Sequence, residues 1–264
     1  MQVARLLGVM MVFLSSCVLA APVADRLSTG QKAAIGRKIW QNECAGSAAG
    51  LTTWNAGEEF PSLGIGHFIW YPAGFRGRFE ESWPEFVKFA GRRGAKLPAV
   101  ASEAHSPWRT KAEFQMDFKG PRLTALRAWL AEHVAMQTDF IIARSQAALP
   151  KMLAAAPVSE RARIEANYAK VSSSSQGTYA LIDYVNFKGE GIQVSEKYKG
   201  MGWGLMQVLG GMKDSSGGAA AATEFAASAK RILSRRISNS PPERGEKRWE
   251  EGWRNRCMTY ARPL

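Results

Sequence analysis

Cysteine and histidine are scarce: each occurs three times in 264 residues. No Cys-x-x-Cys or His-Glu-x-x-His spacing occurs, which excludes the common structural zinc sites and the zinc-peptidase motif. No apolar run reaches the ~18 residues of a membrane helix, and with a mean hydropathy of −0.22 a polytopic membrane protein is excluded. No repeat of 20–50 residues is visible. Low complexity is confined to residues 172–175 and an Ala-rich patch at 217–222, which argues against a disordered chain. Acidic residues are outnumbered, 23 against 35 Lys and Arg, for a net charge of +12. Such a charge draws a protein to polyanions without naming one. What remains is ordinary globular usage, 46% hydrophobic and 22% charged, enough to build one large core.

Residues 1–20 read as an export signal rather than part of that core. Arg5 supplies a positive start, residues 6–14 a short apolar stretch, and small residues follow up to Pro22. Cleavage after Ala20 is expected, with Val18 and Ala20 as the small residues before the cut. The alternative is lipidation, because Leu14-Ser15-Ser16-Cys17 resembles a bacterial lipobox, and Cys17 would then hold the protein at a membrane. Either route predicts a periplasmic or secreted protein, whose polyanion is wall polymer or membrane surface and not nucleic acid. Removing or lipidating Cys17 leaves Cys44 and Cys257. In an oxidising compartment a disulfide between them is expected, with two buried thiols as the alternative.

Periodicity predicts a mainly helical chain. Ser28 or Thr29 can cap a helix carrying Ile35, Ile39 and Trp40, ending near residues 44–46. Glycine-punctuated apolar runs over 51–71 predict a hairpin or irregular β region. A short helix is expected over 83–93, and 93–119 reads as a long loop or insert. Pro121 opens a helical stripe of Leu123, Leu126, Trp129, Leu130, His133, Val134, Gln137 and Ile141. Further helices are expected over 159–171, 177–187, 203–212, 218–237 and 243–260. The fold class is therefore mainly α (α+β) with one small β region near the front, and no linker divides the mature chain.

Glu43 closes the first predicted helix, where the helix dipole prefers cations. If partly buried there, its pKa would rise and suit a general acid. After it come Asn55, Glu58, Glu59 and then Ser62-Leu63-Gly64-Ile65-Gly66-His67. This segment, residues 43–67, resembles the phage-type lysozymes, which end their first helix with the catalytic glutamate and follow it with a hairpin closing on Gly-Ile-Gly-His. A fainter likeness is found at 239–244 and 253–256, and the stretch 72–200 is longer than the family's.

The resemblance implies a lysozyme-like, two-lobed fold, with residues 21–264 as a single domain enlarged in its middle. It implies Glu43 as the catalytic acid and Ser62 at the family's threonine position, holding a water or bonding within the turn. His67 would line the site or pin the hairpin. The family's hairpin aspartate is missing, since none falls between Glu43 and Ser62. Glu58 or Glu59 could supply the second carboxylate, with Glu58 preferred. Further along, Gly204-Leu205-Met206-Gln207 resembles a stretch of lytic transglycosylases, and Asp183, Asn186, Glu190 and Gln207 become candidates for the far wall of a cleft. Among nine tryptophans, Trp54 and Trp70 flank the motif, with Tyr71, and are candidates for stacking on sugar rings. The expected function is an exported, muramidase-like glycosidase acting on peptidoglycan or a related amino-sugar polymer. It would work as a monomer, without metal or cofactor, and touch membrane only through a lipidated Cys17. The alternatives are a lytic transglycosylase with Glu43 alone, or a non-catalytic glycan-binding protein of the envelope.

Overall fold

The computed structural model describes residues 27–77 and 79–264. The expected export signal and Cys17 lie outside the described residues. Helix α1 (Thr29–Cys44) begins as expected at Ser28. The Ser28 hydroxyl accepts from the Gln31 N–H while the Gln31 side chain accepts from the Ser28 N–H, a reciprocal cap that satisfies two otherwise orphaned donors. Ile35 and Ile39 turn inward, and the helix stops at Ala45 in left-handed backbone, φ 50°.

A 3-10 turn (Ala49–Leu51) leads into three short antiparallel strands, β1 (Thr52–Thr53), β2 (Ser62–Leu63) and β3 (Phe68–Ile69), paired in that order. Thr53 faces Ser62, and Ser62 faces Ile69. This is the β region predicted over 51–71. Helix α2 (Trp83–Arg92) follows, and then α3 (Lys111–Met116), capped by the Thr110 hydroxyl, inside the segment expected to be loop. Phe68, Phe86 and Phe140 interlock with ring centroids 4.7–5.5 Å apart, joining the sheet to α2 and to the long helix behind it.

The stripe that opens at Pro121 is two helices, α4 (Pro121–Glu132) and α5 (Val134–Ala155). The chain leaves helical geometry at His133 (φ −110°, ψ 30°), whose Nδ1 bonds the Trp129 carbonyl at 2.8 Å and whose ring stacks on Trp129. Apolar periodicity runs through the break because both helices bury the same stripe. Then come α6 (Val158–Ser172), α7 (Ser175–Lys188), a small hairpin of β4 (Lys197–Tyr198) and β5 (Met201–Gly202), α8 (Leu205–Gly210), α9 (Ala219–Asn239) and α10 (Glu250–Thr259). The helix expected over 243–260 starts late: two 3-10 turns precede α10. Helix α7 packs against α5, α6, α8 and α9 and is buried on every side from Gln176 to Tyr184, so its buried polar side chains must find partners inside the protein. The described chain is thus mainly helical with small antiparallel sheets.

The disulfide expectation is corrected. Cys44 and Cys257 are both free and buried. Cys44 Sγ donates to the Gly64 carbonyl at 3.7 Å, and burial pushes both thiols up to about 12. Among the described residues, no helix is long and apolar enough to cross a membrane.

Candidate active site around Glu43

Three elements deliver polar groups to one carboxylate on a fourth. Glu43, in the last turn of α1, accepts on Oε1 from Arg256 Nη2 (α10) at 2.6 Å and from Asn186 Nδ2 (α7) at 3.3 Å. His67 Nδ1, from the turn between β2 and β3, lies 3.5 Å from Oε2. The Glu43 side chain is 11% exposed. Burial pushes its carboxyl up, but the Arg256 guanidinium, then the charges of His67 and Lys188, outweigh burial and hold it below its ordinary value of 4.5. The expectation of a raised value is therefore overturned: a full cation at hydrogen-bond distance outweighs both burial and the weak field of a helix end.

Arg256, only 9% exposed, is shared. Its Nε and Nη2 also bond the Asp183 carboxylate at 2.8 and 2.9 Å. Asp183 further accepts from the Tyr260 hydroxyl at 2.6 Å and from Asn42 at 3.3 Å. At 0% exposure it anchors Arg256 and is no part of a cleft wall, which corrects that expectation. Asn186 does reach Glu43. Glu190 pairs with Lys151 at 3.1 Å. Beside Arg256, Lys188 Nζ sits 3.6 Å from the Trp253 ring centroid and 3.9 Å from that of Phe187. Burial, with Arg236 and Arg256 nearby, drives this ammonium well below its usual pKa.

The Gly-Ile-Gly-His turn is built for close approach. Gly64 has φ 69°, and a Cβ there would lie 2.2 Å from Gln137 Oε1, so only glycine fits. That same oxygen accepts from Ile65 N–H at 2.9 Å, while Gln137 Nε2 donates to the Leu130 carbonyl at 2.6 Å. Buried Gln137 thus fixes the turn that aims His67 at Glu43. His67 itself holds φ 46°.

The remaining candidates scatter. Ser62 is buried in β2, where its carbonyl accepts from the Thr53 hydroxyl. Glu58 lies in the turn after β1, its carboxylate accepting from Asn55 at 3.0 Å and its carbonyl from the Trp54 indole at 2.7 Å. Trp70 is 0% exposed and packs against Trp83 and Trp108, so its ring has no face for a sugar. Gln207 spends both ends of its amide on backbone, accepting from Gly204 N–H and donating to the Gly191 carbonyl. It braces the loop before α8 and is not a ligand contact. The sequence did not mark Arg256 or Lys188 as site residues, and it marked Gln137 only as one position of the helical stripe that opens at Pro121. Only the Arg-containing close at 253–256 pointed toward the first of them. No protein-family model, curated protein or solved structure matches the chain.

Proposed function

We propose that the chain is an exported, lysozyme-like glycosidase that cleaves peptidoglycan or a related amino-sugar polymer, with Glu43 donating a proton to the glycosidic oxygen. The observation that carries this reading is the convergence of Arg256, Asn186 and His67 on a single, slightly exposed carboxylate beside a glycine turn. Active sites are where buried, charge-coupled carboxyls collect. In the resting protein the Arg256 pair favours the ionised form. A polymer laid over the carboxylate would remove its remaining water, which favours the protonated form. Arg256 keeps its two bonds to Asp183, so it can stay in place while Glu43 takes up and gives a proton.

Glycoside hydrolysis generally uses a second carboxylate. Glu58 is that group in this reading, carried on the turn before Ser62, while His67 lies on the turn after it. The second reading, a lytic transglycosylase using Glu43 alone, is favoured by the state of Asp183: the other carboxylate bonded to Arg256 is fully buried and committed. The net charge of +12 would hold the protein on anionic wall polymer, an attraction that salt weakens.

The test is to incubate residues 21–264, and the Glu43→Gln variant, with purified peptidoglycan and to weigh the soluble products. Reducing-end muropeptides that vanish in the variant support hydrolysis, and anhydro products support the transglycosylase. If neither protein releases anything while both sediment with the polymer, the catalytic reading fails and glycan binding replaces it.

A further inference from the structure

A cavity of about 250 Å³ lies between helix α1 and the residues that follow α10. Helix α1 offers it Ala34, Arg37, Lys38 and Gln41, spaced three and four apart and therefore on one face. Arg262 comes from beyond α10, while Tyr179 of α7 and Thr259 of α10 form the floor. Glu43 projects from the opposite side of α1, where Arg256 and Asn186 meet it.

Three cations share this space, and no acidic side chain lines it. Arg37 and Arg262 are exposed and Lys38 is half-buried. Among the described residues, these three side chains make no hydrogen bond, ion pair or ring contact. No carboxylate, that of Leu264 included, pairs with them. Around Glu43, by contrast, Arg256 is spent on two carboxylates, and Arg236 is spent on Glu246. Like charges gathered without a counter-charge repel one another and lower the stability of the fold that holds them. A bound anion reverses the sign of that interaction.

The floor adds no competing charge. The Tyr179 hydroxyl accepts from Asn42 Nδ2 at 2.8 Å and lies 3.0 Å from the Thr259 hydroxyl, which donates to the Arg256 carbonyl at 2.7 Å. With these groups committed, the floor is set before a ligand arrives, and a preformed site loses little entropy on binding. The lining selects the kind of anion. Each guanidinium presents a planar donor fork and the ammonium three donors, converging from separate elements. A phosphate answers with oxygens in as many directions, whereas a carboxylate has two in one plane. The Gln41 amide adds an uncharged donor. Ala34, Pro263 and Leu264 give the cavity an apolar side, with room for a short carbon skeleton. The volume falls just below the roughly 300–1,000 Å³ of drug-sized sites, so the ligand group is small.

We propose that this cavity binds a phosphate group carried on a small organic residue, held by Arg37, Lys38 and Arg262. The site uses none of Glu43, His67 or Asn186 and stands apart from the glycosidase reading.

The experiment titrates residues 21–264 with glycerol 3-phosphate by isothermal calorimetry at fixed ionic strength. Saturable one-to-one binding is expected, with acetate at least tenfold weaker. Arg37→Gln with Arg262→Gln should weaken glycerol 3-phosphate about tenfold, the scale of two exposed ion pairs. Neither side chain has a partner to lose, so the thermal midpoint without phosphate should hold. Arg92→Gln with Lys96→Gln, an exposed pair outside the cavity, removes the same charge and should change the affinity less than about twofold. A second arm sediments the protein with phosphatidylcholine vesicles that carry phosphatidylglycerol. Sedimentation lost in the Arg37 and Arg262 variant alone assigns the phosphate to a lipid headgroup. Equal sedimentation of the two variants, with glycerol 3-phosphate bound, assigns it to a soluble ester. Equal weakening by the two pairs of substitutions, equal binding of acetate, or no saturable binding of glycerol 3-phosphate would overturn the proposal. Glu43→Gln should bind glycerol 3-phosphate as the parent does, so this site and the glycosidase reading can fail separately.

Discussion

Arg256→Met is the substitution with the largest consequence the structure foretells. It removes three hydrogen bonds, at 2.6 Å to Glu43 and at 2.8 and 2.9 Å to Asp183. The side chain it empties is almost wholly enclosed. Asp183 would keep only the Tyr260 hydroxyl and Asn42 against its charge, with no water to replace the guanidinium. Stranding a buried charge in this way costs about 3–5 kcal/mol. For a chain of this size each kcal/mol moves the thermal midpoint by roughly 2–4 °C, so a fall of about 6–20 °C is expected. The diagnostic measurement is a cycle of urea unfolding at pH 7 on Arg256→Met, Asp183→Asn and the double variant. With both charges gone the penalty of the stranded carboxylate disappears, so the double variant should be more stable than the sum of the single costs implies, by about 2 kcal/mol. A cost under about 1 kcal/mol for Arg256→Met, or single costs that simply add, would refute the account of Arg256 as a shared, desolvated cation.

Three further outcomes follow from the same geometry. The folded-state pKa values of Glu43 and of Glu246 are depressed. In each case burial acts upward and the paired arginine, Arg256 or Arg236, outweighs it. Their contribution is complete above the ordinary value of 4.5 and is lost as pH falls through the depressed values. The urea midpoint should therefore drop below about pH 4.5, and a flat acid profile would contradict it. The Cys44 and Cys257 thiols should resist a disulfide reagent at pH 8 and react after unfolding in guanidinium, with no loss of two hydrogens in the intact mass. Rapid labelling of the native protein would overturn their enclosure. Gln137→Ala leaves the Ile65 N–H and the Leu130 carbonyl unpaired in the interior and should cost about 2–4 kcal/mol in urea unfolding; a loss below 1 kcal/mol would remove Gln137 as the brace of the turn.

The sequence by itself determined the local elements. Ser28 announced α1 because its hydroxyl and Gln31 satisfy each other within one turn. Pro121 opened α4, and the 159–171 and 218–237 periodicities match α6 and α9 to within two residues. Glu43 at a helix end and the glycine turn after it were legible because they depend on neighbours a few positions away. What tertiary structure alone decided is which distant groups meet. Arg256 reaches Glu43 across 213 positions, and no spacing rule connects them. The break at His133 was hidden because apolar periodicity reports the buried face and not the backbone angle. Trp70 read as a ligand contact from its place beside the motif and Gln207 from a resemblance, yet one ring is sealed among other rings and one amide is consumed by backbone. Neighbours also reversed two other expectations: Cys44 and Cys257 are enclosed as free thiols, and the Arg256 guanidinium outweighs burial and holds the Glu43 carboxyl below its ordinary value. A side chain's type fixes what it can bond, but its pKa and its exposure are properties of the neighbours that packing supplies.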